Sequence, residues 1–192
     1  MLVLVGPSAS GKTESAKIMM NKYPISRVVT CTTRPKRLNE IDGFDYHFLS
    51  AEEFLLKKKQ GYFIETTFYN HYHYGTPKNE LADNKFIILD PKGLESFLDT
   101  NFLIVAIFLK TKEETRKERM VQRKDALSDI KQRIKSDRKE FDLKKISGLD
   151  LIIDTTDKTL PQVGDLIYQN YLEILERKKN KVNQLSLFEE DQ

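Results

Sequence analysis

Apolar residues along this chain gather in short continuous runs, separated by stretches of helical period. That is the pattern of strands covered on both faces alternating with amphipathic helices. Met1–Val5, Ile25–Cys31, Phe86–Leu89, Phe102–Leu109 and Leu149–Ile153 read as strands, with helices expected over Thr13–Asn21, Pro91–Leu98 and Lys112–Gln122. A last helix is expected over Pro161–Lys178, where Val163, Leu166, Ile167, Ile174 and Leu175 share one face. The alternation predicts an α/β fold with a parallel sheet core flanked by helices. Two stretches break the rhythm. Residues 32–76 are rich in aromatic, basic and turn residues, and a capping box at Ser50 and Glu53 opens a short helix there. Residues 119–145 are dominated by Lys, Arg, Asp and Glu. Both read as mobile lobes on the sheet, and the residues beyond Lys178 as a polar, frayed tail.

Composition narrows the class without choosing a function. The chain has 192 residues, 39% apolar and 32% charged, with a net charge of +3. One domain is expected at that length, and bulk charge does not imply a nucleic-acid partner. No apolar run approaches a membrane span of ~18 residues, and a secretory leader is not expected, because the first strand runs straight into a phosphate motif. A single cysteine, Cys31, excludes an internal disulfide framework and fits a reducing, cytoplasmic setting.

The motif is Gly6-Pro7-Ser8-Ala9-Ser10-Gly11-Lys12-Thr13, which satisfies G-x-x-x-x-G-K-[ST]. Glycines at its two ends let the backbone turn tightly and aim successive N–H groups at an anion above a helix N-terminus. Lys12 can reach the outer phosphates of a nucleoside triphosphate, and the Thr13 hydroxyl can ligate Mg²⁺. Its position between an apolar strand and an amphipathic helix supports this reading over a Gly/Ser-rich turn with a solvated lysine. The motif alone does not separate a GTPase, a motor ATPase and a small-molecule kinase.

The next segment does. Thr30-Cys31-Thr32-Thr33-Arg34-Pro35-Lys36-Arg37 and Glu40-Ile41-Asp42-Gly43-Phe44-Asp45-Tyr46-His47-Phe48 resemble the guanylate kinase family. The likeness continues through Gly61–Glu65 and Tyr74-Gly75-Thr76, then resumes at Arg119, Arg123 and Arg133. It implies a P-loop NTPase fold in one domain, 1–178. Its core would be 1–31, 77–118 and 146–178, with a nucleoside-monophosphate lobe at 32–76, a helical Arg-rich lid at 119–145 and a tail at 179–192. It further implies ATP and Mg²⁺, with GMP or dGMP as acceptor. By the same resemblance Arg34, Arg37, Tyr46 and Tyr74 hold the acceptor phosphate, and Glu65 accepts from the guanine N1–H and N2–H. Thr30, Thr76 and Asp90 make further base contacts. Lys12, Arg34, Arg119, Arg123 and Arg133 are the expected catalytic groups. Arginine suits such work because its planar fork grips phosphate directionally. On charge pattern alone, the lid arginines would read as a solvated, salt-bridged helix.

Some positions depart from the family pattern. Ile88 and Lys92 stand in Leu89-Asp90-Pro91-Lys92-Gly93 and its approach where an aspartate and a glutamine are usual. Pro35 comes one residue early, Lys124 replaces a lid glycine, Asp154 stands for an asparagine, and Glu14 for a small residue. A non-catalytic interaction module of this fold, or a kinase with another phosphorylated acceptor, therefore stays open. His71 and His73 lack a third ligand nearby and read as packing or surface residues. In the tail, Gln184-Leu185-Ser186-Leu187-Phe188 resembles the peptide by which bacterial proteins dock on the sliding clamp. That reading assumes an extended segment with Gln184, Leu185, Leu187 and Phe188 in contact, against the alternative that these side chains fold back on the core.

Overall fold

The computed structural model describes residues 1–38, 40–69 and 71–190, with the backbone alone for Tyr69 and 185–190. The elements in chain order are β1 (Leu2–Val5), α1 (Lys12–Lys22), β2 (Ser26–Arg27), β3 (Cys31–Thr32), β4 (His47–Phe48), α2 (Ala51–Lys59), β5 (Phe63–Tyr69) and β6 (Tyr72–Pro77). There follow β7 (Lys85–Leu89), α3 (Pro91–Leu98), β8 (Val105–Lys110), α4 (Glu113–Gln122), α5 (Leu127–Glu140), β9 (Leu151–Asp154) and α6 (Leu160–Glu190). They form two compact units, Met1–Ile25 with Phe86–Gln192, and Ser26–Lys85.

The first unit is built on parallel strands in the order β7-β1-β8-β9. Every residue of β1 is buried, and β8 is buried until Lys110, as runs of unbroken apolar character require. Met19 of α1 and Val163, Ile167 and Tyr171 of α6 complete the core around Leu2, Leu4 and Ile107. The charge-rich stretch 119–145, expected to be helical, holds the end of α4 and the whole of α5. Met120, Ile130 and Ile134 bury a small apolar cluster between α4 and α5, with Ala9 packed against it. Three such positions in a polar stretch are too few to announce a packed pair, but at helical spacing they suffice to dock it.

The second unit is a four-stranded sheet in the order β4-β3-β6-β5, backed by α2. Phe54 of α2, Phe63 and Cys31 form its core. The Ser50–Glu53 capping box is made in full, each side chain bonding the other's backbone amide.

Two expectations on boundaries need correction. The single strand expected at Ile25–Cys31 is two short ones, β2 and β3, with residues 28–30 in neither. Apolar content there marks burial of Ile25, Val28 and Cys31 but cannot say which sheet each end joins. The last helix does not stop at Lys178. Lys178 Nζ is tied to Ile104 O and to Asp150, both at 2.7 Å, and the backbone stays helical to Glu190. No glycine or proline interrupts the sequence after Gly164, so nothing local ends the helix. The clamp-docking reading falls largely outside the described residues, since the side chains of Leu185, Leu187 and Phe188 are among those not described. The backbone through them is helical, not extended.

Candidate active site

Between β1 and α1 the chain makes a compact anion cradle. Gly6 has φ +152° and Gly11 φ +97°, conformations costly for any residue with a Cβ. At Gly6 a Cβ would also meet the Leu109 carbonyl oxygen at 2.6 Å, so the loop could not leave β1 beside β8. Gly11 is the N-cap of α1 and offers no side-chain cap, leaving the first-turn amides to an outside acceptor. Lys12 curls back over the loop, donating from Nζ to Gly6 O at 2.5 Å and Pro7 O at 2.8 Å. Burial lowers its pKa from 10.5 to about 8, with Asp137 opposing the shift and Arg116 adding to it. Gly11, Lys12, Thr13, Arg119, Arg123 and Leu160 line a pocket of about 580 Å³ at the mouth of this loop. Thr13 is exposed there. Its hydroxyl is a hard oxygen donor, and no group of three His, Cys, Asp or Glu able to hold a metal occurs among the described residues. An ion at Thr13 would therefore take its other ligands from phosphate and water, as Mg²⁺ prefers.

The three lid arginines diverge in their settings. Arg119 donates to Ala9 O and Thr155 O, each at 3.1 Å, and so touches the phosphate loop directly. Arg123 lines the same pocket but bonds Asp125 at 2.7 Å. Arg133 does not line it; it lies exposed, 3.8 Å from the same Asp125. At the turn between α4 and α5, Lys124 has φ +62°. The Lys124 and Asp125 amides donate to Val121 O and Met120 O, closing a Schellman turn where glycine is the comfortable residue.

A further contact to the loop comes from a pair that sequence reasoning missed. Arg116, on α4, bonds Asp137, on α5, at 2.5 Å with both side chains 6% exposed. Asp137 also accepts from the Ser8 amide at 3.0 Å and the Ser8 hydroxyl at 3.2 Å. Arg116 reaches Ser8 O at 3.2 Å. Thr155, equally unforeseen, donates to Ser10 O at 3.1 Å from a buried position. The one available signal was that Arg116 lies three residues before Arg119 on a helix and so shares its face.

In the second unit Arg34 is held by Glu40 at 2.6 Å and lies over the Tyr46 ring at 5.6 Å. Tyr46 meets Tyr74 edge-on with ring centroids 6.2 Å apart. Arg34, Tyr46 and Tyr74 are thus brought together, with Glu40 beside them. Arg37 is exposed; its amide, not its guanidinium, bonds Glu40 at 2.9 Å. Glu65 of β5 accepts from the buried Thr76 hydroxyl of β6 at 2.6 Å, so these two expected base contacts adjoin. Thr30 is half-buried, its carbonyl taken by the His47 amide. Asp90 is in the other unit and caps α3, accepting from the Gly93 amide at 2.6 Å.

Comparison with known proteins decides the family. The guanylate kinase family model matches residues 1–170. The chain belongs to the guanylate kinase family. The guanylate kinase of Lawsonia intracellularis is 44% identical over 77 residues, spanning 40% of this chain and 36% of that one. The guanylate kinase of Helicobacter pylori is 33% identical over 150 residues, 73% of each chain. A crystal structure of guanylate kinase from Anaplasma phagocytophilum superposes with a TM-score of 0.61 at 25% identity, over 91% of this chain and 84% of that one. The parallel sheet with its loop between β1 and α1 is accordingly the P-loop NTPase fold. Among the described residues no helix is long and apolar enough to cross a membrane. Ile88 packs half-buried against the core.

Proposed function

We infer that this guanylate kinase family member transfers the terminal phosphoryl group of ATP to GMP or dGMP, in the cytoplasm and with Mg²⁺. The observation that carries the reading is the cradle with a buried ammonium, Lys12, folded on its own carbonyls. In the reaction a phosphate oxygen of the acceptor attacks the terminal phosphorus, the bond to the bridging oxygen breaks, and ADP leaves. The nucleophile is already an anionic oxygen, so no general base is needed, and catalysis is alignment plus charge neutralisation.

Lys12 exchanges carbonyl partners for phosphate oxygens, and the free amides of the α1 N-terminus hold the same group. Arg119 and Arg123 line the donor pocket, and Arg133 follows them on the lid. Thr13 would hold Mg²⁺ through its hydroxyl, and the ion would supply charge neutralisation of the donor phosphates. Arg34, Arg37, Tyr46 and Tyr74 grip the acceptor phosphate. Glu65, beside Thr76 and with Thr30 as a further base contact, reads the guanine edge, where adenine would present an acceptor instead of a donor.

ADP release from ATP, measured with GMP, dGMP, AMP, CMP and UMP in turn, tests this. Rapid release only with the guanine nucleotides is expected, and Glu65→Gln should lower kcat/KM for GMP by about 10²-fold or more. Binding of GMP without turnover would defeat the kinase reading in favour of a non-catalytic module.

A further inference from the structure

We propose that Arg116 is a further phosphate-binding arginine of the donor site, masked by Asp137, whose carboxylate rests on Ser8 as an internal substitute for a phosphoryl oxyanion. The inference rests on the triphosphate-binding reading above and names one more residue for it.

The donor set around Asp137 is the first ground. Its carboxylate collects a backbone amide and a hydroxyl from Ser8, inside the phosphate loop, and a guanidinium from Arg116. Amide, hydroxyl and guanidinium together are what an enzyme offers to a phosphoryl oxygen. The second ground is that packing does not call for the pair. Met120, Ile130, Ile134 and Ala9 already join α4, α5 and the loop through apolar contact. A buried ion pair is no better for stability than hydrophobic residues of similar size, so the pair's distinctive consequence is the charge it brings to Ser8. Third, Asp137 does not saturate its partner. Arg116 Nε is fully buried and has no acceptor, an unused donor on a guanidinium that already touches Ser8 O. A triphosphate carries far more negative charge than one carboxylate, so it competes for the shared donors and releases Arg116 from Asp137.

Calorimetric titration of the full chain with inorganic triphosphate, and with a non-hydrolysable ATP analogue, tests the exchange. Asp137→Asn removes the internal anion and should tighten both ligands at least fivefold. Arg116→Lys keeps the charge and the pair but loses the fork, and should weaken both at least fivefold with little change in melting temperature. The apolar double variant R116M/D137L, expected to fold, should also bind more weakly than the wild type. A gain in D137N that survives in the double variant would be long-range electrostatics and would overturn the proposal. So would wild-type affinity in R116K. If D137N does not fold, R116K and the double variant decide: weaker binding in both sustains the proposal, and unchanged binding in both refutes it. Wild-type protein that bound no triphosphate would defeat the kinase reading itself, a result separate from any difference among the variants.

Discussion

Each unit holds an arginine, proposed above to bind phosphate, against a carboxylate of its own, and the two pairs are built differently. Arg34 and Glu40 are six residues apart in one loop, with Glu40 17% exposed. Arg116 and Asp137 are 21 residues apart, on two helices, and at 6% exposure they also grip a third segment through Ser8. The loop pair can open for a ligand by moving a few residues that solvent readily rehydrates. Opening the helix pair leaves a buried charge to be compensated by something else. On the proposed reading, ligand exchange at Arg34 would be a local event, whereas exchange at Arg116 would be coupled to how α4 and α5 sit on the loop.

The largest test of the donor side is Lys12→Met, which should lower kcat by about 10³-fold, the scale for losing one transition-state donor. It also has a pH signature. Burial holds Lys12 at about 8 against 10.5, so between those values the unfolded chain binds the extra proton. The wild type then gains stability relative to K12M as pH rises through that window, and the difference is flat below it. Melting curves from pH 7 to 10.5 check the slope, and a difference independent of pH would refute the buried ammonium. Next in size is the stability of D137N, which should fall by about 3–5 kcal/mol because Arg116 loses its partner in a buried place. Denaturant unfolding without ligand measures it, and a loss under 1 kcal/mol would show the pair to be solvated.

A smaller effect of the opposite sign is expected in the lid. Lys124 has φ +62°, and a left-handed residue with a Cβ costs about 1–2 kcal/mol, partly offset in glycine by chain entropy. Lys124→Gly should thus stabilise by about 0.5–1 kcal/mol. The same turn shows what was readable in the sequence. A missing glycine was visible at Lys124, whereas the left-handed turn that makes its absence costly was not. The phosphate loop, the parallel strands and the capped α2 were legible because each is a local pattern with one physical outcome. Arg116, Asp137 and Glu40 were not, because a charged residue in a charged stretch gives no local sign of whether its partner is water or a side chain 21 residues on. The continuation of α6 past Lys178 was missed for a related reason, since polar helix and polar tail share one composition.

The mildest perturbation bears hardest on the comparison. Glu40→Gln keeps the shape of the side chain and its acceptor for the Arg37 amide, and removes the charge beside Arg34 together with the oxygen that accepts from it. The guanidinium retains the Pro35 carbonyl at 2.9 Å and the Tyr46 face, and exposed loop backbone can adjust around it. The melting temperature should therefore move by no more than about 3 °C, while GMP binds two- to threefold tighter, on the order expected when a weakly screened like charge is removed. Arg34 holds the Glu40 carboxyl below the usual range, so the wild type should bind GMP like E40Q only once acid has protonated Glu40. Should E40Q cost as much stability as D137N, the two pairs would be equivalent, and the division between local and coupled exchange would fail.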